Sequence, residues 1–370
     1  MTVSPPPAPA PPTAPGSVLT ARHPLVDGHT ADAPLLAAYR GRRPAHRPVW
    51  FMRQAGRSLP EYREVRRGIG MLESCLMPDL AAEITLQPVR RHGVDAAILF
   101  SDIVVPLKLA GVDVQIVAGT GPVVASPIRT AADVAALPPL DPDALAPVAA
   151  EAAAVVAELG STPLIGFAGA PFTLASYLVE GGPSKDHRRT KTLMHAAPDV
   201  WHALAAWVAD VTGSFLRAQV LAGASAVQVF DSWAGGLSRP DYQRFVAGHS
   251  AAVFAAVADL DVPRVHFGVG TGELLTAMRD VGADVVGIDH RVPLDVASER
   301  LGGAVPIQGN IDPALLFAGR DALHAHTLDV IRRGASAPGH VLNLGHGVPP
   351  DTDPDVLTEL VEFIHAQPSA

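Results

Sequence analysis

Apolar residues fall along this chain in short, nearly unbroken runs, each closed by glycine or a polar residue and followed by a longer helical pattern. The runs lie at 49–52, 96–100, 164–167, 226–230, 265–267, 285–288, 305–307 and 341–344. A few consecutive apolar residues without alternation read as a strand covered on both faces. Amphipathic or alanine-rich stretches at 145–159, 200–221, 242–258 and 322–331 supply helices between them. Eight such units predict the α/β class and a (β/α)8 TIM barrel, a single domain over residues 31–370. An open doubly wound sheet is the alternative, but it would gather its chemistry at one switch point. Here polar residues follow nearly every run. One stretch breaks the alternation: Val112-Asp-Val-Gln-Ile-Val117, Ala118-Gly-Thr-Gly121 and Pro122-Val-Val124 predict a β-hairpin inserted after the second strand, with one apolar face in need of cover. Residues 1–30 open with a run of proline and alanine that cannot build a core, which predicts a mobile tail.

Composition changes this picture in two places. The chain of 370 residues has a formal net charge of -9, yet the window from Arg40 to Arg67 holds nine arginines against Glu61 and Glu64. A local cationic patch in an acidic protein suits a small polyanion better than a nucleic acid, which would call for a broad basic face. The single cysteine, Cys75, excludes an internal disulfide and a cysteine-pair metal site, and fits a reducing compartment. No apolar run approaches the roughly 20 residues of a membrane-spanning helix, and the N-terminus lacks a secretion signal. A cytoplasmic protein, without membrane or nucleic-acid partners, is therefore expected.

In a barrel, the residues that end the strands converge on one mouth. They are Arg53-Gln54-Ala55-Gly56-Arg57, Ser101-Asp102, Gly166 to Phe172, Asp231-Ser232-Trp233, Gly268 to Gly270, Asp289, Gln308 to Asn310 and Asn343 to Gly347. Arginines beside Gly56, a carboxylate at Asp102, hydroxyls at Tyr177 and Ser232 and an imidazole at His346 would rim it, with phenylalanine rings below. Each has a structural alternative: ion pairing for the arginines, a helix cap for Asp102 or Ser232, a satisfied core hydroxyl for Tyr177, a hydrogen-bonded loop for His346. Asp231 and Asp289 read as structural acids. His187, His195 and His202 lack metal-ligand spacing. The Gly268-Val-Gly270-Thr-Gly272-Glu273 turn misses the last glycine of a dinucleotide loop, and Glu273 would repel a pyrophosphate.

The stretch Arg47-Pro-Val-Trp-Phe-Met-Arg-Gln-Ala-Gly-Arg-Ser-Leu-Pro-Glu-Tyr62 resembles the first signature of the uroporphyrinogen decarboxylase family, and Gly166-Phe-Ala-Gly-Ala-Pro-Phe-Thr-Leu-Ala-Ser-Tyr177 resembles its second. The likeness extends from about residue 30 to 366 through Phe100-Ser-Asp102, Phe230-Asp-Ser232, Gln308-Gly-Asn310 and Asn343-Leu-Gly-His346. The resemblance implies a (β/α)8 barrel, a homodimer, no cofactor and no metal. The implied reaction is decarboxylation of the four acetates of uroporphyrinogen III to give coproporphyrinogen III in haem biosynthesis. It further implies that Arg53, Gln54, Ala55, Gly56 and Arg57 bind substrate, that Asp102 is the central catalytic acid, and that Tyr177, Ser232 and His346 contact substrate carboxylates. The chain departs from the family at Asp289-His290, where many members have tryptophan after the aspartate.

That chemistry is consistent with the residues. An acetate on a pyrrole loses CO2 once protonation of the adjacent ring carbon provides a cationic electron sink within the substrate. The protein then supplies a counter-charge, a proton and cations for the remaining carboxylates. Asp102 would be the counter-charge, its pKa held down by the pyrrole N–H bonds it accepts and by nearby Arg53 and Arg57, and the planar guanidinium fork suits carboxylates better than lysine does. Arg53 is the candidate proton donor, with water or His346 as alternatives. Two other readings are a corrinoid methyltransferase, which needs a thiolate-containing zinc site, and a tetrapyrrole carrier, which needs no buried carboxylate.

Overall fold

A computed structural model describes residues 18–368. Seven parallel strands form one sheet in the order β1 (Ala97–Ile98), β4 (Leu164–Gly169), β5 (Ala226–Asp231), β6 (Arg264–Gly268), β7 (Val285–Gly287), β8 (Ile307–Gln308) and β9 (His340–Val341). Sequential neighbours pair in register, for example Phe230 of β5 with Phe267 of β6. The eighth wall is the 49–52 run, in which a parallel bridge joins Val49 to Leu342 beyond β9. On its other side the Asp95 amide donates to the Val49 carbonyl at 2.8 Å, ahead of β1. The barrel therefore closes through the segment that leads into Arg53.

Each strand is buried on both faces, as the unbroken apolar runs require, and long helices cover the outside. Many of those helices begin with proline in the first turn, including Pro34–Tyr39, Pro78–His92, Pro171–Glu180, Pro198–Leu221 and Pro354–His365. Proline there gives up no helical hydrogen bond and presets φ, so much of the high proline content marks helix starts. The helix anticipated over 242–258 is broken into Arg239–Phe245 and Ala247–Ala255, with Val246 at φ -123. The Phe245 carbonyl released at that break accepts the Trp201 indole N–H at 2.8 Å.

The hairpin is present as β2 (Val114–Val117) and β3 (Gly121–Val124), antiparallel. Val114 and Val124 supply its apolar face, and Leu178 and Val179 of the Pro171–Glu180 helix pack into the same core and cover it. Backbone bonds from Val124 N to Gly181 O and from Ile128 N to Leu178 O fasten the insertion to that helix.

Part of the anticipated tail lies outside the described residues. Residues 18–30, also assigned to it, are anchored to the barrel. Leu19, His23 and Thr30 are buried, the His23 ring bonds the Val220 carbonyl at 2.9 Å, and Thr30 bonds the Ser225 hydroxyl at 2.9 Å. The proline run does not extend into this segment, which has polar partners on the barrel. No described helix is long and apolar enough to cross a membrane.

Candidate active site

The arginine loop is held from both sides. Asn343 accepts the Met52 N–H at 3.0 Å and the Leu344 N–H at 2.8 Å, and the Val348 N–H donates to the Met52 carbonyl at 2.8 Å. One asparagine thus sets the register between the segment preceding Arg53 and the segment carrying His346. Gln54 is wholly buried, with its side-chain oxygen accepting the Phe51 N–H at 2.9 Å and its NH2 donating to the Ala96 carbonyl at 3.0 Å. The Gln54 side chain is therefore a staple within the barrel wall. Ala55 and Gly56 are half-buried beside it.

Arg53 and Arg57 are exposed. Arg53 has φ 61, a left-handed conformation that costs a non-glycine residue about 1–2 kcal/mol. The turn places its aliphatic stem against Gly347, where an added Cβ would lie 2.5 Å from Arg53 Cδ, 2.8 Å from Cγ and 3.2 Å from Cβ. Several other arginines of the basic window have separate local partners: Arg63 donates to the Arg57 carbonyl, Arg66 to Tyr62 and the Ile69 carbonyl, and Arg67 to Glu64. Among the described residues, the side chains of Arg42, Arg47, Arg53 and Arg57 of this window make no hydrogen bond or ion pair, and of these Arg53 and Arg57 belong to the strand-end loop.

Asp102 follows β1 and is half-buried. Its Oδ1 accepts the Val104 N–H at 3.0 Å, a turn bond just ahead of the Val105–Leu109 helix, whose own N-cap, Val104, has no side-chain capping bond. Its pKa is raised, first by burial; the Val104 N–H and the charge of Arg53 act in the opposite sense and are outweighed. In the free protein the value is therefore raised and not depressed: Arg53 alone of the two signature arginines influences Asp102, and only as a minor cause, while the pyrrole N–H bonds of the expectation belong to the substrate-bound state. Behind Asp102 the wall disfavours negative charge. Cys75 is buried and its thiol is pushed well up by burial and by Asp102 and Glu151, while burial raises Glu151 well above the usual carboxylate range. Thr85 accepts the Phe100 N–H at 2.9 Å and reaches Glu151 at 3.4 Å, which fixes the approach to Asp102. Sequence reasoning missed Glu151. Its only signal was a lone acid on an otherwise apolar helix face.

Tyr177 is half-buried, and its pKa is pushed up to about 12 by burial and then by the charge of Asp102, with Arg53 opposing. Tyr177, Asp102 and Arg53 therefore lie within electrostatic reach of one another. Trp233 stacks on Tyr177 at 4.1 Å between ring centroids, and His187 backs Trp233 at 4.6 Å. His187 belongs to the site's support, which its sequence spacing did not reveal. Ser232 is half-buried between two anchored neighbours. The Thr173 hydroxyl donates to Asp231 at 2.9 Å and accepts the Trp233 N–H at 3.3 Å.

His346 is exposed, with its Nδ1 accepting the Gly347 N–H at 2.7 Å. Crowding of the ring lowers its pKa, Arg53, His290 and Arg291 add to this, and Asp289 opposes. Neutral imidazole is favoured. Asp289 is structural: it accepts the Gly270 N–H at 2.6 Å and pairs with Arg291 at 2.5 Å, so the glycine turn points its amide at a protein carboxylate. Inside the mouth Phe167, Phe230 and Phe267 pack edge to face, at 5.4 Å and 5.9 Å between centroids. These rings form an apolar floor across three adjacent strands.

The geometry therefore combines one half-buried carboxylate, two exposed guanidinium groups, a phenol, a hydroxyl and an imidazole above an aromatic floor. Such a site can grip a polyanion at its rim and offer one negative charge at its centre. A family model described as uroporphyrinogen decarboxylase matches residues 30–367. A uroporphyrinogen decarboxylase of Arthrobacter sp. (strain FB24) is 66% identical over 92% of this chain and 99% of its own length. One from Rhodococcus opacus (strain B4) is 65% identical over 90% and 96%. Among solved structures, a methyltransferase from Methanosarcina mazei superposes with a TM-score of 0.76 over 90% of this chain and 98% of its own, at 20% identity. At that identity the likeness concerns the fold alone.

Proposed function

The chain belongs to the uroporphyrinogen decarboxylase family, and from that premise we propose which of its groups carry the decarboxylation of uroporphyrinogen III to coproporphyrinogen III. Asp102 is the central group. Its ionised carboxylate accepts the pyrrole N–H groups of the macrocycle and stabilises the ring cation formed when the ring carbon next to the one bearing the acetate side chain is protonated. The C–C bond to the carboxyl then breaks, its electron pair neutralises the cation, and CO2 leaves. The exocyclic carbon takes a proton and the ring carbon gives one back, so each cycle consumes one proton, releases one CO2 and converts an acetate to a methyl group.

The observation that carries this reading is the coupling of Asp102 with Arg53 and Tyr177 around one half-buried carboxylate. In the free protein burial disfavours that charge. Pyrrole N–H donors and the ring cation would offset this when substrate enters, so the stabilisation is greatest where the transition state needs it. Arg57 and Arg53 hold peripheral carboxylates through two-point contacts, with Tyr177, Ser232 and neutral His346 as further donors. Gln54 contributes through the loop it fastens, and Ala55 and Gly56 through backbone that a carboxylate can approach closely. The phenylalanine floor makes no directional demand, so the macrocycle can present its four acetates in turn.

Arg53 remains our candidate for proton delivery, either directly or by orienting a water. His346 is the alternative, and its lowered pKa makes it a poor reservoir of protons at neutral pH. The methyltransferase reading is disfavoured by Cys75, whose buried thiol resists forming a thiolate. A homodimer and a cytoplasmic location complete the proposal on family grounds, and the dimer is tested by sedimentation. The activity is tested by anaerobic incubation of purified, chelator-treated protein with uroporphyrinogen III. Release of CO2 with accumulation of coproporphyrinogen is expected; bound but unchanged substrate would favour the carrier.

A further inference from the structure

On the opposite end of the barrel, three side chains far apart in sequence meet at one point. His46 lies just ahead of the closing segment, Asp95 precedes β1, and His365 ends the Pro354–His365 helix. His46 Nε2 is 2.6 Å from Asp95 Oδ1, His365 Nε2 is 2.8 Å from Asp95 Oδ2, and the three donor atoms all lie within 4.8 Å of one another. The two imidazoles meet edge to face, 4.9 Å apart at 77°, so both Nε2 atoms converge on the carboxylate. Asp95 is held in place by the Val49 N–H on Oδ2 at 2.8 Å, a backbone contact of the kind that orients metal-binding carboxylates.

We propose that His46, Asp95 and His365 form a peripheral divalent-metal site, selective for zinc or a similar first-row ion, that fastens the C-terminal helix to the strand leading into the arginine loop. Two imidazoles and one carboxylate suit zinc, with bonds of about 2.0–2.2 Å and donor atoms therefore about 3.3 Å apart. The two nitrogen–oxygen separations, 2.6 and 2.8 Å, are shorter than that spacing, and a shift of roughly half an ångström in each ring would open the pocket. Side-chain exposures of 41% at His46 and 30% at His365 give an ion an entry path and leave room for water as the remaining ligand. Magnesium and calcium, which take oxygen ligands, do not match this donor set. Because the strands run parallel away from this end, the site is remote from Asp102 and Arg53, and its role is in holding the fold rather than in chemistry.

The test uses untagged full-length protein, stripped with chelator and titrated with zinc chloride by calorimetry, with cobalt(II) absorption as a second readout. The expected result is one equivalent bound, a rise in Tm with zinc, and a tetrahedral or five-coordinate cobalt spectrum. His365→Gln and His46→Gln should each weaken binding at least tenfold and abolish the Tm rise, while the decarboxylation rate stays unchanged. Glutamine can still hydrogen-bond Asp95, and circular dichroism verifies that each variant folds; if one does not, the other carries the test. Absence of binding at 100-fold excess zinc would overturn the proposal and leave two histidine–carboxylate hydrogen bonds. So would zinc binding that neither variant weakens, which would direct attention to the close pair His202 and His249.

Discussion

Replacing Gly347 by alanine adds a single methyl group to the protein and should disable it through Arg53. The new Cβ would sit 2.5 Å from Arg53 Cδ and 2.8 Å from Cγ, whereas carbon atoms rest at about 3.5–4.0 Å. The stem of Arg53 must therefore move by about 1 Å. It cannot simply swing at its tip, because its own Cβ is only 3.2 Å away and its backbone is fixed at φ 61 by the clamp on Met52. Gly347 itself has no left-handed φ, so alanine is tolerated by the backbone and the protein should fold. Displacing a positioning group by 1 Å costs up to roughly 100-fold in rate, or about 2.7 kcal/mol. The assay is kcat/KM for uroporphyrinogen under anaerobic conditions, with Tm measured alongside. A drop of 30- to 100-fold with Tm changed by less than about 3 °C is expected. Activity within twofold of the parent would refute the claim that Arg53 must occupy this position.

Three further outcomes follow from the same geometry. Arg57→Ala should raise KM several-fold with a smaller change in kcat, since its guanidinium grips the rim; an unchanged KM would argue against contact with substrate. The acid limb of kcat/KM should lie above the ordinary carboxylate value of about 3.9, because the free protein raises the Asp102 pKa and the reaction needs that group ionised; a limb at or below the ordinary value would contradict this assignment. Buried His92 has its pKa lowered from 6.5 to about 4, so the unfolded chain binds a proton that the native state refuses. Its contribution is complete above about pH 6.5 and is lost as pH falls toward 4, amounting to about 3 kcal/mol. Urea unfolding across that interval should find the parent losing stability more steeply than His92→Gln.

The barrel was legible because each apolar run is a complete, two-faced buried strand. Even 49–52, which makes only an isolated bridge with Leu342, is as fully apolar as its neighbours and fills its place in the wall. The break at Val246 was not legible, because it depends on the distant Trp201 indole that captures the Phe245 carbonyl. Within the site, Asp102, Tyr177 and Arg53 announce themselves by position at strand ends and in signature motifs. The inward turn of Gln54 does not, since a glutamine in a loop gives no sign of whether it faces a ligand or staples two backbones. The sign of the Asp102 shift was also hidden: opposite charges can be counted along a sequence, but burial, which outweighs them, belongs to the fold.

Asp102 must act as a charge and not merely as the acceptor of a local turn bond. Asp102→Asn keeps the shape and can still accept the Val104 N–H, so single-turnover decarboxylation can be compared directly with affinity for coproporphyrinogen. The rate should fall by a factor of roughly 100 to 1000, as the loss of one transition-state group typically costs, while product affinity changes by less than tenfold. A variant that turns over at near the parent rate, or loses affinity and rate in equal proportion, would contradict the central role given to this carboxylate.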